Sequence, residues 1–176
     1  MFTKFKRRFE NIADLFALSY QMALANFKVR NESSYLGIFW YLLEPLAFFS
    51  VLLFLGGAIY NNSILNYPAY LLLGLVMFNF FLSVTNNSTN IIAKNRHFIR
   101  SIKINLNTFL WANIFQSIFS HFFEIILFAI LLVYLKINIV FILFYPLIFL
   151  LLCLFTIGVS FVFATIGVYV ADCFGL

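Results

Sequence analysis

Charged side chains and cysteines are both scarce in this sequence of 176 residues. Only 10% of the residues are charged, whereas 64% are hydrophobic and 26 are phenylalanine. A water-soluble domain of this length cannot bury so much apolar surface, so the composition excludes an ordinary soluble protein and predicts that the bilayer is the solvent. The two cysteines, Cys153 and Cys173, are too few for a disulfide framework.

The motifs of several enzyme classes are missing as well. No G-x-x-x-x-G-K-[ST] sequence occurs, which excludes ATP binding through a Walker loop. Only two histidines, His97 and His121, are present, and no Ser-His-Asp or Cys-His set stands out. His121 and Glu124 alone are too few ligands for a metal site. We therefore predict that the chain is not an enzyme and holds no cofactor or metal of its own.

The apolar runs predict an all-α fold, a polytopic helical membrane protein with an N-terminal interfacial amphipathic helix and four transmembrane helices. The mixed pattern from Ile12 to Met22 favours a helix at the membrane surface. Pro68 is expected in the first turn of the second span. The last run is too long for one span and too short for two, which predicts an interfacial or tilted start up to Pro146. The predicted single domain, residues 1–176, comprises an N-terminal segment 1–36, spans 37–60, 68–90, 106–135 and 144–170, and a cytosolic segment 91–105.

The basic residues predict the orientation of these spans. Ten of the eleven Lys and Arg residues lie in the N-terminal segment or between the second and third spans, and only Lys136 lies on the other side. The positive-inside rule then places both termini in the cytosol. The net charge of +5 is accounted for by topology and by attraction to anionic lipids, without a nucleic-acid partner.

Polar residues inside the spans are the candidate functional residues. The spacings in the third span place six of them on one helical face, where they are expected to meet other helices or an aqueous path. Two interpretations remain open, a translocation surface or ion relay and plain helix–helix hydrogen bonding. His121 and Glu124, three residues apart, are expected to pair. The six residues are Asn113, Gln116, Ser117, Ser120, His121 and Glu124.

Three further patterns accompany this stripe. The second span has its own polar row, Asn79, Ser83, Asn86, Asn87 and Asn90. The fourth has a ladder of small residues, Thr156, Ser160 and Ala164, which predicts close helix packing. Glu44, inside the first span, must be protonated, paired with Arg30, or facing a cavity, because a charged carboxylate in lipid is costly.

Four segments carry a family resemblance. Residues 30–45 read R-N-E-S-S-Y-L-G-I-F-W-Y-L-L-E-P, the second span starts Y-P-A-Y-L-L-L-G-L, residues 95–104 form a basic-apolar segment, and V-Y-V-A-D-C follows the fourth span. Together they resemble the permease subunits of ABC transporters that export polysaccharides and lipid-linked glycans. The matching junction positions are Arg30, Ser34, Leu36, Gly37, Trp40 and Pro45. The chain resembles the first four of that family's six spans, which implies a truncated permease.

The resemblance implies an exporter of O-antigen, capsule or teichoic-acid-like glycans in the bacterial cytoplasmic membrane. Its implied partners are an ABC ATPase subunit that binds ATP and Mg²⁺, a second permease copy, membrane lipids and the lipid-linked glycan. The expected ATPase-contact residues are Arg96, Phe98, Ile99, Arg100, Ile102 and Lys103. The expected substrate path comprises Lys28, Arg30, Trp40 and Glu44 with Asn113, Gln116, Ser120, His121 and Glu124. The alternatives are a permease for a drug or another lipid, a membrane-embedded enzyme, and a non-transporting membrane protein or inactive fragment.

Overall fold

The computed structural model describes residues 2–32, 37–60, 66–91, 95, 106–137 and 140–173. Four of the helices in this part of the chain are long and apolar enough to cross a membrane. The protein is therefore an all-α, multi-pass membrane protein, as predicted. Its helices are α1 Phe2–Glu32, α2 Trp40–Tyr60, α3 Tyr67–Thr89, α4 Leu106–Tyr134 and α5 Val140–Cys173.

Local sequence signals explain where α2 and α3 begin. Gly37 has a φ of 49°, a left-handed conformation that glycine adopts without a side-chain clash, and it opens a 3₁₀ turn that leads into α2. Asn66, at the N-cap of α3, is also left-handed with a φ of 57°. Pro68 follows in the first turn of α3, where its missing N–H removes no intrahelical hydrogen bond. The predicted start of the second span is confirmed.

The first helix packs on α4 through aromatic rings. Phe16 lies 4.8 Å from Trp111 between ring centroids, and Tyr20 meets Phe115 edge-on at 6.1 Å. These arrangements are favourable beyond simple area burial, because ring edges carry positive and ring faces negative partial charge. The predicted amphipathic segment from Ile12 to Met22 thus lies within α1, and α1 presents aromatic side chains to the bundle.

The final helix is continuous through Pro146, and the interfacial or tilted start before this residue stays a prediction. It begins at Val140 and runs for 34 residues, with Pro146 inside it. A helix of that length measures about 51 Å, so it exceeds the ~30 Å hydrocarbon core without a break. Pro146 lies close enough to the helix start that its ring disturbs only the first turns. The segment apolar enough to span is Leu143–Gly167.

Small residues let α5 approach α3 closely. Thr156, Ser160 and Ala164 are all at most 3% exposed, in agreement with the predicted packing ladder. One turn further on, a Cβ atom built on Gly167 would overlap the carbonyl oxygen of Thr89. Backbone therefore meets backbone at this end of the α3–α5 contact, which only glycine permits.

Candidate functional site

The main polar feature of the bundle is a cavity of about 540 Å³, which we call the polar groove. Residues of α1, α2, α3 and α4 line it, and its apolar wall includes Phe48, Phe78 and Phe80. Since polar side chains on a lipid-facing surface would be costly, their concentration on one concave surface indicates an aqueous or ligand-bearing space. The polar lining residues are Arg30, Glu44, Asn79, Ser83, Asn86, Asn87, Ser117, Ser120, His121 and Glu124.

Part of the α4 stripe holds helices together. Asn113 donates from Nδ2 to the carbonyl oxygen of Val84 at 3.0 Å, and Nδ2 lies 3.2 Å from Ser88 Oγ. The hydroxyls of Ser83 and Ser117 lie 3.3 Å apart. These contacts join α3 to α4, so helix–helix hydrogen bonding accounts for this part of the stripe.

Further along the stripe, Ser120, His121 and Glu124 line the groove, and the last two belong to a hydrogen-bonded triad. His121 is 1% exposed, and its Nδ1 lies 3.1 Å from Glu124 Oε2. Its Nε2 lies 2.6 Å from the hydroxyl of Tyr145 on α5. The predicted pairing of His121 with Glu124 is confirmed, and Tyr145 is a third member that the sequence pattern did not indicate. We call Glu124, His121 and Tyr145 the triad.

The α1–α2 junction contributes an aromatic stack beneath a cation. The guanidinium carbon of Arg30 lies 4.8 Å from the centroid of the Tyr41 ring, a cation–π contact. Tyr41 in turn stacks on Phe27 at 5.4 Å and on Phe123 at 5.9 Å. This stack fixes Arg30 at the edge of the groove.

Glu44 and the Tyr41 hydroxyl add polar groups near Arg30. Glu44 is an exposed residue that lines the groove, which corresponds to the cavity-facing alternative for its place in the first span. The hydroxyl of Tyr41 is buried, and no described residue hydrogen-bonds to it. A buried hydroxyl without a hydrogen-bond partner is energetically costly.

A second cavity of about 440 Å³ adjoins the groove. Arg30 and Asn87 line both cavities, so these two side chains form the shared wall. Asn113 and Gln116 of the predicted path line the second cavity, together with Asn26 and Asn95. Polar residues that line one cavity or the other thus extend along α4 from Glu124 to Asn113.

Some predicted path residues lie elsewhere. Lys28 pairs with Glu32 at 3.7 Å, and both side chains are mostly exposed. Trp40 is 48% exposed and lines neither cavity. The predicted ATPase-contact residues Arg96, Phe98, Ile99, Arg100, Ile102 and Lys103 lie outside the described residues.

The groove offers hydrogen-bond donors and acceptors of several kinds. Amides, hydroxyls and a guanidinium supply donors, while the carboxylates of Glu44 and Glu124 supply acceptors. Within the described part of the chain, no cluster of three or more His, Cys, Asp or Glu residues is arranged to hold a metal ion. Comparisons with protein families, with curated proteins and with solved structures find no match to this chain.

Proposed function

We propose that this protein is the permease subunit of an ATP-driven ABC exporter in the bacterial cytoplasmic membrane, with polysaccharide or lipid-linked glycan as its cargo. The polar groove is the observation that carries the proposal. The four spanning helices are long and predominantly apolar, so a concave surface with ten polar side chains calls for a polar occupant or water.

The dimensions and lining of the groove suit a polar ligand. Its volume of about 540 Å³ falls within the range of known ligand sites, ~300–1,000 Å³. Asparagine amides and serine hydroxyls on α3 and α4 match a cargo with many hydroxyl groups, and aromatic rings such as Phe78 and Phe80 match its apolar faces. Arg30 supplies a positive charge for the phosphate of a lipid-linked cargo.

The proposal assigns ATP hydrolysis to a separate subunit. The sequence has no Walker loop, and the basic-apolar segment at residues 91–105 resembles an ATPase-docking segment. The charge distribution, interpreted with the positive-inside rule, supports a cytosolic position for this segment and both termini. A second permease copy completes the path in this proposal.

Thiol labelling tests whether the groove contains water. In a background with Cys153→Ala and Cys173→Ala, Asn79→Cys and Asn86→Cys are compared with Leu154→Cys, which lies on the exposed apolar face of α5. Thiols react as thiolates, which form in water, so a charged, membrane-impermeant reagent should label the groove positions about tenfold faster in proteoliposomes. Equal rates at all three positions would contradict an aqueous groove.

Co-purification tests the ATPase partner independently. The double variant Phe98→Asp, Ile99→Asp should lose an ATPase subunit that the wild-type chain retains, because two carboxylates replace apolar anchors of the predicted ATPase-contact segment. Tyr134→Asp is the matched control: Tyr134 is 81% exposed at the other end of α4 and should retain the subunit. Retention by both variants, or by neither, would contradict docking at residues 91–105.

An export assay in cells tests whether the cargo is a glycan. Asn79→Leu with Asn86→Leu removes amides from the groove while keeping side chains of similar size, and we expect surface glycan to fall in cells that depend on this protein. Normal surface glycan, with the variant inserted at wild-type level, would favour another cargo or a non-transporting role.

A further inference from the structure

The triad has a geometry that pure packing does not require. His121 lies near the middle of α4 and is almost fully buried, yet both of its ring nitrogens have hydrogen-bond partners, at 3.1 Å and 2.6 Å. The ring stacks on Phe149 with centroids 4.3 Å apart and planes 9° apart, which holds its orientation. Phe80 covers it from α3.

The hydrogen-bond directions follow from what each group is able to donate. An ionised carboxylate only accepts, so with Glu124 ionised and the ring neutral, the His121 proton resides on Nδ1 and Nε2 accepts from the Tyr145 hydroxyl. If Glu124 is protonated instead, it donates to Nδ1, and the ring proton moves to Nε2, from which it is donated to Tyr145 Oη. The two arrangements differ by one proton and reverse the His121–Tyr145 hydrogen bond.

The triad connects the polar groove to the next helix. The Glu124 side chain is 14% exposed and lines the groove, whereas His121 is buried and Tyr145 belongs to α5. A proton from the groove is therefore able to reach Glu124, and its binding changes the hydrogen bond that His121 makes with Tyr145 of α5. We propose that the triad is a proton-binding site: one proton taken from the groove by Glu124 changes the His121 tautomer and reverses the hydrogen bond that joins α4 to Tyr145.

The step is balanced within these three side chains. The Nδ1 proton passes along its hydrogen bond to Glu124, and the proton gained from the groove, which His121 also lines, ends on Nε2. Glu124 and Nε2 thus each gain a proton and Nδ1 loses one, a net gain of one proton. The Tyr145 hydroxyl keeps its proton but becomes an acceptor. The triad charge changes from −1 to zero, and no redox partner is involved.

The other charged groups around the triad lie in the groove. Arg30 of α1 and Glu44 of α2 line the same space as Glu124, so they adjust its electrostatic potential. The neighbouring side chains of α3 that face His121 are Phe80 and Ser83, neither of which titrates near neutral pH. On α5, Phe149 and Cys153 follow Tyr145 along the same helix. A cation bound in the groove would favour the ionised form of Glu124. The direction of the hydrogen bond between His121 and Tyr145 of α5 would then depend on whether the groove is occupied.

Nitrogen NMR of the histidine ring tests this proposal directly. The chain has only two histidines, so a His97→Gln protein with ¹⁵N-labelled histidine in lipid nanodiscs reports on His121 alone. Over a titration from about pH 9 to about pH 5, we expect the Nδ1–H form to give way to a form protonated at Nε2. Glu124→Gln removes the proton acceptor and Tyr145→Phe removes the hydroxyl that faces Nε2, so each should abolish this change.

Matched controls separate the triad from general effects. Tyr169→Phe removes a hydroxyl from an exposed position on the same helix, and Asp14→Asn removes an exposed carboxylate of α1 that lines neither cavity; both should keep the pH-dependent change. A tautomer that stays constant over the whole range in the wild-type ring would overturn the proposal. So would a change that persists unaltered in both Glu124→Gln and Tyr145→Phe, because the triad would then be structural only.

Discussion

Replacing Gly167 by alanine is the sharpest test of the α3–α5 packing. The added Cβ atom would overlap the carbonyl oxygen of Thr89, in the last turn of α3. A backbone carbonyl cannot rotate away as a side chain can, so the helices must separate or shift along their shared contact. The buried ladder at Thr156, Ser160 and Ala164 belongs to the same contact and would be disturbed with it.

The expected loss is about 2–3 kcal/mol in the free energy of unfolding. Overpacking a well-packed contact costs ~1–3 kcal/mol, and an obstacle made of backbone belongs in the upper part of that range. Helix propensity adds little, since spanning helices remain helical when a membrane protein unfolds in detergent.

Reversible unfolding in mixed micelles measures this difference, with two other glycines as controls. Gly158, on the same helix, has nothing within 4 Å of an added Cβ, so Gly158→Ala should change the unfolding free energy by less than ~0.5 kcal/mol. At Gly56 the obstacle is the Tyr67 ring, which is able to rotate, so Gly56→Ala should fall between the two. Equal stability of the Gly167 and Gly158 variants would refute the close approach.

Three further predictions concern other contacts. Asn113→Leu removes the hydrogen bond to Val84 O and should destabilise the bundle by ~0.6–1.7 kcal/mol in the same unfolding assay, and no loss would show that the bond is energetically neutral. Lys28→Ala breaks an exposed pair at 3.7 Å, so we expect no change in stability beyond ~0.5 kcal/mol, and a larger effect would mean that Lys28 has a further partner. Phe16→Ala should alter the fluorescence of Trp111, read in a Trp40→Phe background, because the ring 4.8 Å away is lost; an unchanged spectrum would contradict the α1–α4 contact.

Local features of the fold were predictable from the sequence because they depend on local physics. Apolar runs of sufficient length define the four spans, and Pro68 marks the start of α3. The pairing of His121 with Glu124 follows from helical periodicity, which places residues three apart on one face. Helix α5 is continuous through Pro146 because a proline near a helix start leaves most of the helix's hydrogen bonds intact.

The candidate site was only half predictable. The sequence indicated the polar stripe on α4, and several of its residues do line the groove. The sequence did not indicate Tyr145, because this residue is one of many aromatic residues in the apolar runs. It also lies 24 residues from His121 along the chain. Nor did it separate Asn113, which joins two helices, from Glu124, which faces the groove.

The sequence by itself determined the class, the number of spanning helices and the side of α4 that must avoid lipid, because composition and periodicity act within one segment. Only the tertiary structure decided which polar residues meet. The union of Arg30, Glu44 and Glu124 in one groove and the contact of His121 with Tyr145 both depend on how four helices pack around α4. Helix packing depends on side chains that are distant in sequence, and the periodicity of one helix does not identify the residues that it contacts on another.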